Sequence, residues 1–432
     1  MKRTVFFFLL LLASLGSQTN AQAVTRVRDT VGDDPSRYTE ELGYFRKAHS
    51  DLGDPRFMFT DQSGNFTFGL GGTFSTIGYF DFLGAVDGAD FLPSNIAIPT
   101  DYSNQYGLTA RGSNLSVKAK GFIGKNKLLG FMRLKPYMHG TNLSVKMDQV
   151  YLSFNGITVG QTYSFFMDLE AGPMTIDLQG PNSQVCKTHP LIGYTRYFGD
   201  RLMVGAALEE SFLAFSSDKF GQYGIKNTYR SIPDVAARVK YKGGEGHVQL
   251  AAIFTDNAYW CDSTFAVAAS GINRHALGYG FSLSGNYNPF RHVGFSGQFA
   301  CGKGIANYIQ DFDGLDLELT ADRQRIDGYV KLRSRWALGG FLSTNINWSE
   351  RLLSNLIYGI SYVPPAAGKI EMNDQRLRLT TYGVVNLFWR IDPYARVGVE
   401  YVFGYKQVEA ERIGDPTTGF ANRLNASFIY QF

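Results

Sequence analysis

The chain has 432 residues, 44% hydrophobic and 15% aromatic, with 48 glycines and 14 prolines. Beyond the N-terminus no apolar run is long enough for a helix to cross a bilayer, so a helical membrane protein is excluded and two or three soluble domains or one large barrel remain. The formal charge is only +4 at pH 7, which gives no reason to propose nucleic acid as a partner.

Met1, Lys2 and Arg3 make a basic start, Val5 to Leu12 an apolar core, and Ala21-Gln22-Ala23 a small-residue cleavage site. Residues 1–23 therefore read as a secretory signal peptide, too short and wrongly flanked for an anchor. Loss of Lys2 and Arg3 lowers the formal charge from +4 to +2. An exported chain meets an oxidising compartment, yet the odd set Cys186, Cys261 and Cys301 leaves at least one thiol free. Cys261 and Cys301 each fall near the end of an expected strand and are the pair that could meet; three unpaired thiols is the alternative. Nothing has zinc-site spacing, and no cofactor or metal is expected.

Residues 24–58 are polar and lack a strand pattern. Ser36 followed by Glu40 and Glu41 offers a capping signal for a short helix. The segment reads as a periplasmic extension or a small plug, with residues 59–432 forming the barrel.

From Asn65 the rhythm changes. Phe66, Phe68, Leu70, Gly72 and Phe74 share one face, a period of two that marks a strand with unlike faces. After a loop from Asp81 to Gln105 the pattern restarts with Tyr106, Leu108 and Ala110, opposed by Thr109 and Arg111. The phase slips near Gly112, where a bulge is expected. Tight turns are expected at Lys125-Asn126, Asn155-Gly156, Gly199-Asp200, Gly243-Gly244, Asn288-Pro289, Ser349-Glu350 and Asp392-Pro393. Longer loops fall near 139–146, 164–188, 213–231, 256–273, 302–325, 363–375 and 407–419. Short connections alternating with long ones, and about sixteen strands between them, describe a bacterial membrane barrel.

The last strands are the clearest. Val330 to Trp348 reads as one long strand, with Lys331, Arg333 and Arg335 on its polar face. Leu424, Ala426, Phe428, Tyr430 and Phe432 line one face of the closing strand, opposed by Arg423, Asn425, Ser427 and Gln431. A soluble sandwich also alternates. Here the apolar faces are bulky and aromatic at their ends, as a lipid-facing band requires, and the chain ends on an aromatic residue. The expected fold is an all-β transmembrane antiparallel barrel, about sixteen strands, closed because an open edge in hydrocarbon leaves backbone groups unpaired.

One stretch does not alternate. Residues 160–189 read GQTYSFFMDLEAGPMTIDLQGPNSQVCKTH. Loops of this length are usually functional or disordered, and the apolar residues Phe165, Phe166, Met167, Met174, Ile176 and Leu178 favour order. The segment reads as a loop folded inward to narrow the barrel. Gly160 to Ser164, Phe166-Met167-Asp168 and Thr175 to Pro181 resemble the loop-three region of DcaP-like porins; Ser354 to Gly359 and the closing strand are similar to that family as well. The resemblance implies a sixteen-stranded outer-membrane barrel, an inward-folded constriction loop after the fifth strand over about 164–188, a homotrimer, and a periplasmic extension over 24–56.

A pore selects by diameter and by charge on its wall and constriction. Loop three offers Asp168, Glu170 and Asp177, with Lys187 near its end. Facing walls offer Arg111, Arg133, Lys135, Arg196, Arg333, Arg335, Arg376 and Arg378, along with Arg238 and Lys331. This predicts a diffusion porin for small polar, anionic solutes, in contact with outer-membrane lipid and lipopolysaccharide. Outer-mouth arginines that bind lipopolysaccharide phosphates or loop carboxylates are the competing reading of the same residues. An enzyme is the rival class, but the six histidines are scattered and no GxSxG motif occurs. A substrate-specific or plug-gated transporter, and an adhesin, remain as further alternatives.

Overall fold

The computed structural model describes residues 57–61, 65–86, 88–124, 126–139, 142–210, 224–228, 232–262, 272–312, 314–321, 330–365, 376–410 and 414–432. The expected signal peptide and all of the expected extension before Phe57 lie outside the described residues. Phe57–Thr60 pairs antiparallel with the first long strand, so contact with the barrel begins slightly earlier than residue 59.

Sixteen antiparallel strands form one closed barrel. In chain order they are β1 Phe66–Phe82, β2 in two segments Gln105–Thr109 and Asn114–Ile123, β3 Asn126–His139, β4 Asn142–Phe154, β5 Ile157–Tyr163, β6 Thr188–Phe198, β7 Leu202–Glu209 and β8 in two segments Ile225–Asn227 and Asp234–Gly243. There follow β9 Gly246–Cys261, β10 Ile272–Tyr287, β11 Val293–Lys303, β12 Trp336–Asn347, β13 Leu352–Tyr362, β14 Leu377–Arg390, β15 Ala395–Val408 and β16 Thr418–Gln431. Each strand pairs with the next, and β16 closes on β1 from Thr73↔Gln431 to Phe82↔Asn422.

Burial alternates along the strands as the period of two requires. In β16 Gly419, Ala421, Arg423, Asn425, Ser427, Ile429 and Gln431 are buried on the lumen side, while Leu424 and Phe428 are exposed. Large exposed residues such as Phe74, Tyr106, Leu108, Ile192, Leu342, Leu356 and Val399 share the outward parity around the wall. An apolar belt of this extent fits hydrocarbon rather than water.

The phase slip in β2 is real. Thr109 and Asn114 bracket a turn in which the Ser113 N–H bonds the Ala110 carbonyl at 2.9 Å, and both flanking segments pair with β1. Two expectations need correction. The loop expected over 139–146 is shorter, because β3 runs to His139 and β4 starts at Asn142. The strand expected from Val330 to Trp348 is two pieces: Val330–Ser334 pairs with Leu317–Ala321 as a separate hairpin, and β12 begins at Trp336. Their matching alternation hid the break at Arg335.

All three cysteines are free thiols. The seam between first and last strands rests on a fully buried ion pair. Arg423 on β16 donates through Nε to Asp81 Oδ1 and through Nη2 to Asp81 Oδ2 on β1, the latter at 2.9 Å; Nη2 also reaches the carbonyls of Val86 and Gly88, and Nη1 that of Ala89. Removing one partner of such a pair leaves an uncompensated buried charge. Arg423→Met is therefore expected to destabilise the barrel by about 3–5 kcal/mol, read as a lower urea midpoint in detergent; an unchanged midpoint would show that the seam does not depend on this pair.

Candidate functional site: the lumen and its three inward loops

Three loops turn into the lumen, and each carries a single 3₁₀ turn: Pro93–Asn95 in loop one (83–104), Leu169–Ala171 in loop three (164–187) and Ala306–Tyr308 in loop six (304–335). Loop three follows β5, as expected. It leaves the wall with its Phe165 N–H bonded to Glu209 on β7 at 2.7 Å. The Phe165 ring lies over Gly193 and Gly205, where any Cβ would meet ring atoms at 2.5 and 3.0 Å. Arg238 on β8 stacks on its other side, 4.2 Å from the ring centre.

Beyond this stem Asp168 is buried among three wall strands. Lys240 on β8 reaches it at 3.1 Å, His247 on β9 at 2.7 Å, and the Ser284 hydroxyl on β10 donates to it at 2.8 Å. Burial would raise this carboxyl, but Lys240, His247 and Ser284 outweigh burial and hold it far below the usual carboxylate range. Glu170 meets Lys240 at 3.2 Å and Lys242 at 3.7 Å. Burial opposes its ionisation as well, and the same lysines again prevail and lower it.

The tip of loop three crosses to the opposite wall. Glu400 on β15 accepts the backbone N–H groups of Ile176 and Asp177, both at 2.7 Å. Asn386 and Asn425 donate to the same carboxylate at 3.0 and 3.1 Å. Asp177 accepts the Phe91 N–H of loop one at 3.0 Å and the Tyr382 hydroxyl at 2.9 Å. Burial, reinforced by Glu400, pushes Asp177 up to about 7. Beside it Leu178 approaches Gly112, where a Cβ would stand 3.2 Å from its methyl. The bulge in β2 thus makes room for the loop tip.

Loops one and six lock this crossing. Phe91 and Ile96 of loop one pack on Tyr382, Val384, Val402 and Ala421, and the Ser94 N–H bonds Asp311 of loop six at 2.8 Å. Loop six runs beside the return of loop three: the Cys186 N–H bonds the Tyr308 carbonyl at 3.0 Å, and the Gln310 N–H bonds the Gln184 carbonyl at 2.9 Å. Lys187 donates to Asn307 at 2.7 Å. The Tyr308 hydroxyl donates to Asp234 on β8 at 2.7 Å.

Away from loop three, β2 and β3 present Lys118, Lys120, Arg133 and Lys135 on their lumen parity. The register of β5's upstream hairpin shifts between Arg133 and Leu134, and the extra residue, Asp148, sits against Arg133 Nε at 2.7 Å and Lys135 at 3.3 Å. Arg133 also donates to the Tyr163 hydroxyl at 2.7 Å. Solvent reaches Lys135 and Arg111, each 37% exposed, and Arg111 pairs with Asp90 of loop one at 2.9 Å. Tyr151, Tyr163, Phe165, Tyr197, Arg238 and Lys240 line part of a solvent-open pocket of about 590 Å³ under loop three.

The expected set therefore divides. Asp168, Glu170, Asp177, Lys187, Arg111, Arg133 and Lys135 all face the lumen, although Asp168 and Asp177 serve as anchors rather than as exposed charges. Arg196 does not belong with them. It shares the exposed parity of Ile192 and Tyr194 on β6 and stacks 5.3 Å from the Phe198 ring at the turn rim; the period of two puts it on the outward face. Arg333 sits on the loop-six hairpin and Arg335 at the chain's re-entry to the wall, so neither is a wall residue at the constriction. Arg376 and Arg378 stand at the loop rim of β14. Glu400, Lys118, Lys120, Lys240 and Lys242 were missed. Their inward parity was readable, but the loop segment each would meet was not.

Among solved structures the chain is similar to the outer-membrane channel DcaP of Acinetobacter baumannii, with 16% identity, 87% of this chain and 99% of that one covered, and a TM-score of 0.70. The chain has the DcaP channel fold. An OmpF of Salmonella typhi, solved with daunomycin, matches at 11% identity over 86% of this chain and 99% of that one, TM-score 0.52. An anion-selective porin from Comamonas acidovorans matches at 12% identity over 85% of this chain and all of that one, TM-score 0.50. No family model and no curated protein matches the chain. The likeness is one of fold; it does not by itself assign roles to the side chains.

Protonation bears directly on the loop-three anchor. Because folding raises Asp177, its contribution is complete below the ordinary aspartate value and is lost as pH rises through about 7. Hydrogen exchange at the Ile176 and Asp177 amides, corrected for intrinsic rates, is expected to lose about tenfold or more protection between about pH 5 and about pH 8. Asp177→Asn should flatten this dependence; a wild-type protein with no pH dependence would remove Asp177 as the controlling group.

Proposed function

We propose that the chain is an outer-membrane diffusion channel that passes small polar anions along a path between loop three and the β2–β3 wall. One observation carries this reading: on the β2–β3 wall two cations, Arg133 and Lys135, share one carboxylate, while the acids of loop three are taken up by residues of the opposite wall. Asp168 and Glu170 are held by Lys240, Lys242 and His247, and Asp148 is shared by Arg133 and Lys135. In a low-dielectric tube such an excess concentrates anions. The apolar outward belt supports a membrane location, with lipid around the belt. A cleaved signal peptide, read from the basic start, apolar core and Ala21-Gln22-Ala23, a periplasmic extension or small plug over 24–58, contact with lipopolysaccharide, and assembly as a homotrimer, which rests on the family resemblance, belong to the same proposal.

The lumen acid, imidazole and hydroxyl do not support the rival hydrolytic reading. Ser284 and His247 both bond Asp168, whereas nucleophilic catalysis needs the hydroxyl on the imidazole. Interlocking of loops one, three and six favours a narrow, selective pore over a wide general one.

The test is the reversal potential of the refolded protein in a chloride salt gradient. An anion-preferring sign is expected, and Lys120→Glu with Lys135→Glu should lower the anion-to-cation permeability ratio by about threefold or more. A cation-preferring wild type would overturn the reading.

A further inference from the structure

Asp148 departs from the rule of parity that governs the rest of the wall. On the turn side of β4 the buried residues Gln149, Tyr151 and Ser153 face the lumen, while Leu152, 40% exposed, faces outward. A strict period of two continued from there would turn both Asp148 and Lys146 toward hydrocarbon, where a charged side chain is unfavourable.

The bulge in the β3–β4 hairpin prevents this. Arg133 lies opposite Gln149, yet Leu134 lies opposite Met147 and Lys135 opposite Lys146. One inserted residue reverses the phase of the strand beyond it. Val145, 68% exposed, therefore takes the outward face on the loop side. Lys146 shares the lumen face of Lys135, because residues paired across a ladder lie on one side of the sheet.

Asp148, the inserted residue, turns inward to these cations. Its Oδ2 accepts from Arg133 Nε at 2.7 Å, also meets Arg133 Nη2, and lies 3.3 Å from Lys135 Nζ. Arg133 is buried and donates as well to the Tyr163 hydroxyl, at the stem of loop three. Lys135 is open to solvent. The same carboxylate oxygen thus serves a cation fixed in the wall and a cation that faces the lumen. A carboxylate held there does to Lys135 what a passing anion would do, since both are drawn by one charge at one place. Without it the charge of the pair would act on the lumen, where low-dielectric walls focus the field.

We propose that Asp148 is a specificity-determining residue of the channel: a built-in counter-ion, carried into the lumen by the bulge, that competes with passing anions for Arg133 and Lys135 and limits how strongly this wall prefers them. The inference rests on the anion-channel reading and names the residue that tunes it.

The test removes charge while keeping shape. Asp148→Asn retains the size of the side chain and an oxygen that can accept from Arg133; Asp148→Glu retains the charge. Reversal potentials of full-length channels in potassium chloride gradients are the readout. Near about 0.1 M salt, Asp148→Asn is expected to raise the anion-to-cation permeability ratio about threefold or more, with Asp148→Glu remaining near wild type. The gain should shrink near about 1 M, where the screening length falls from about 10 Å to about 3 Å. A carboxylate that only held Arg133 and the loop-three stem in place would give a change indifferent to salt. Asp148→Ser carries the same test if Asp148→Asn does not fold. An unchanged or lowered ratio in the neutral variant, a gain that persists undiminished at high salt, or the same gain in Asp148→Glu overturns the proposal. The sign of the wild-type reversal potential reports on the anion-channel reading, so the two failures are distinguishable.

Discussion

A strand in hydrocarbon has no water to satisfy its backbone, so every N–H and C=O must find a neighbouring strand. That constraint is met, at the ends of the chain's wall, at the junction of β1 and β16. Ladder bonds run along it, and beyond them the Phe432 N–H and carbonyl both pair with Gly72 at 3.0 Å. The Phe432 ring stacks on Phe74 and meets Phe57 edge-on. At the other end of the seam Asp81 and Arg423 are fully buried. Arg423 also gathers three carbonyls of loop one, so the interaction that helps close the barrel also starts loop one inward.

A closed wall this wide leaves a space that its own side chains do not fill, and three loops occupy it. Their docking places are small residues on the inner wall. Phe165 lies over Gly193 and Gly205, Phe91 over Gly404, Ile305 over Gly280 and Gly302, and Ser183 over Gly339. Phe165, Phe166 and Met167 join Ile305, Tyr308, Ile309 and Phe312 against Ala207, Ala236, Ala251 and Ala300 in one buried apolar cluster. The loops are therefore held as a core is held, by burial, and then aligned by a few charged hydrogen bonds.

Those bonds come from acids at both ends of loop three. Glu209 takes the Phe165 N–H at the stem and Glu400 takes two N–H groups at the tip. A carboxylate bonded to backbone donors orients a loop without requiring any particular side chain from it. The acids of loop three are spent in the same way on the wall. What remains on the β2–β3 face is one carboxylate, Asp148, shared by Arg133 and Lys135, and loop three itself stands as a scaffold across the lumen.

The period of two and the alternation of short and long connections were enough to determine the fold class, about sixteen strands and the bulge near Gly112, and the one long stretch without alternation marked the inward loop. These are local properties, because in a membrane wall each residue's face follows from its parity alone. Parity also governed the outcome for Arg196, whose outward place was readable from Ile192 and Tyr194. It failed at Arg335, where a hairpin strand and a wall strand happened to keep the same phase. Which acids are exposed charges and which are anchors was not legible. Asp168 meets residues 72, 79 and 116 positions away, and Glu400 grips backbone more than 220 positions earlier. Only the closed barrel brings such groups within hydrogen-bond distance, since their pairing depends on which walls face one another and not on any pattern along the chain.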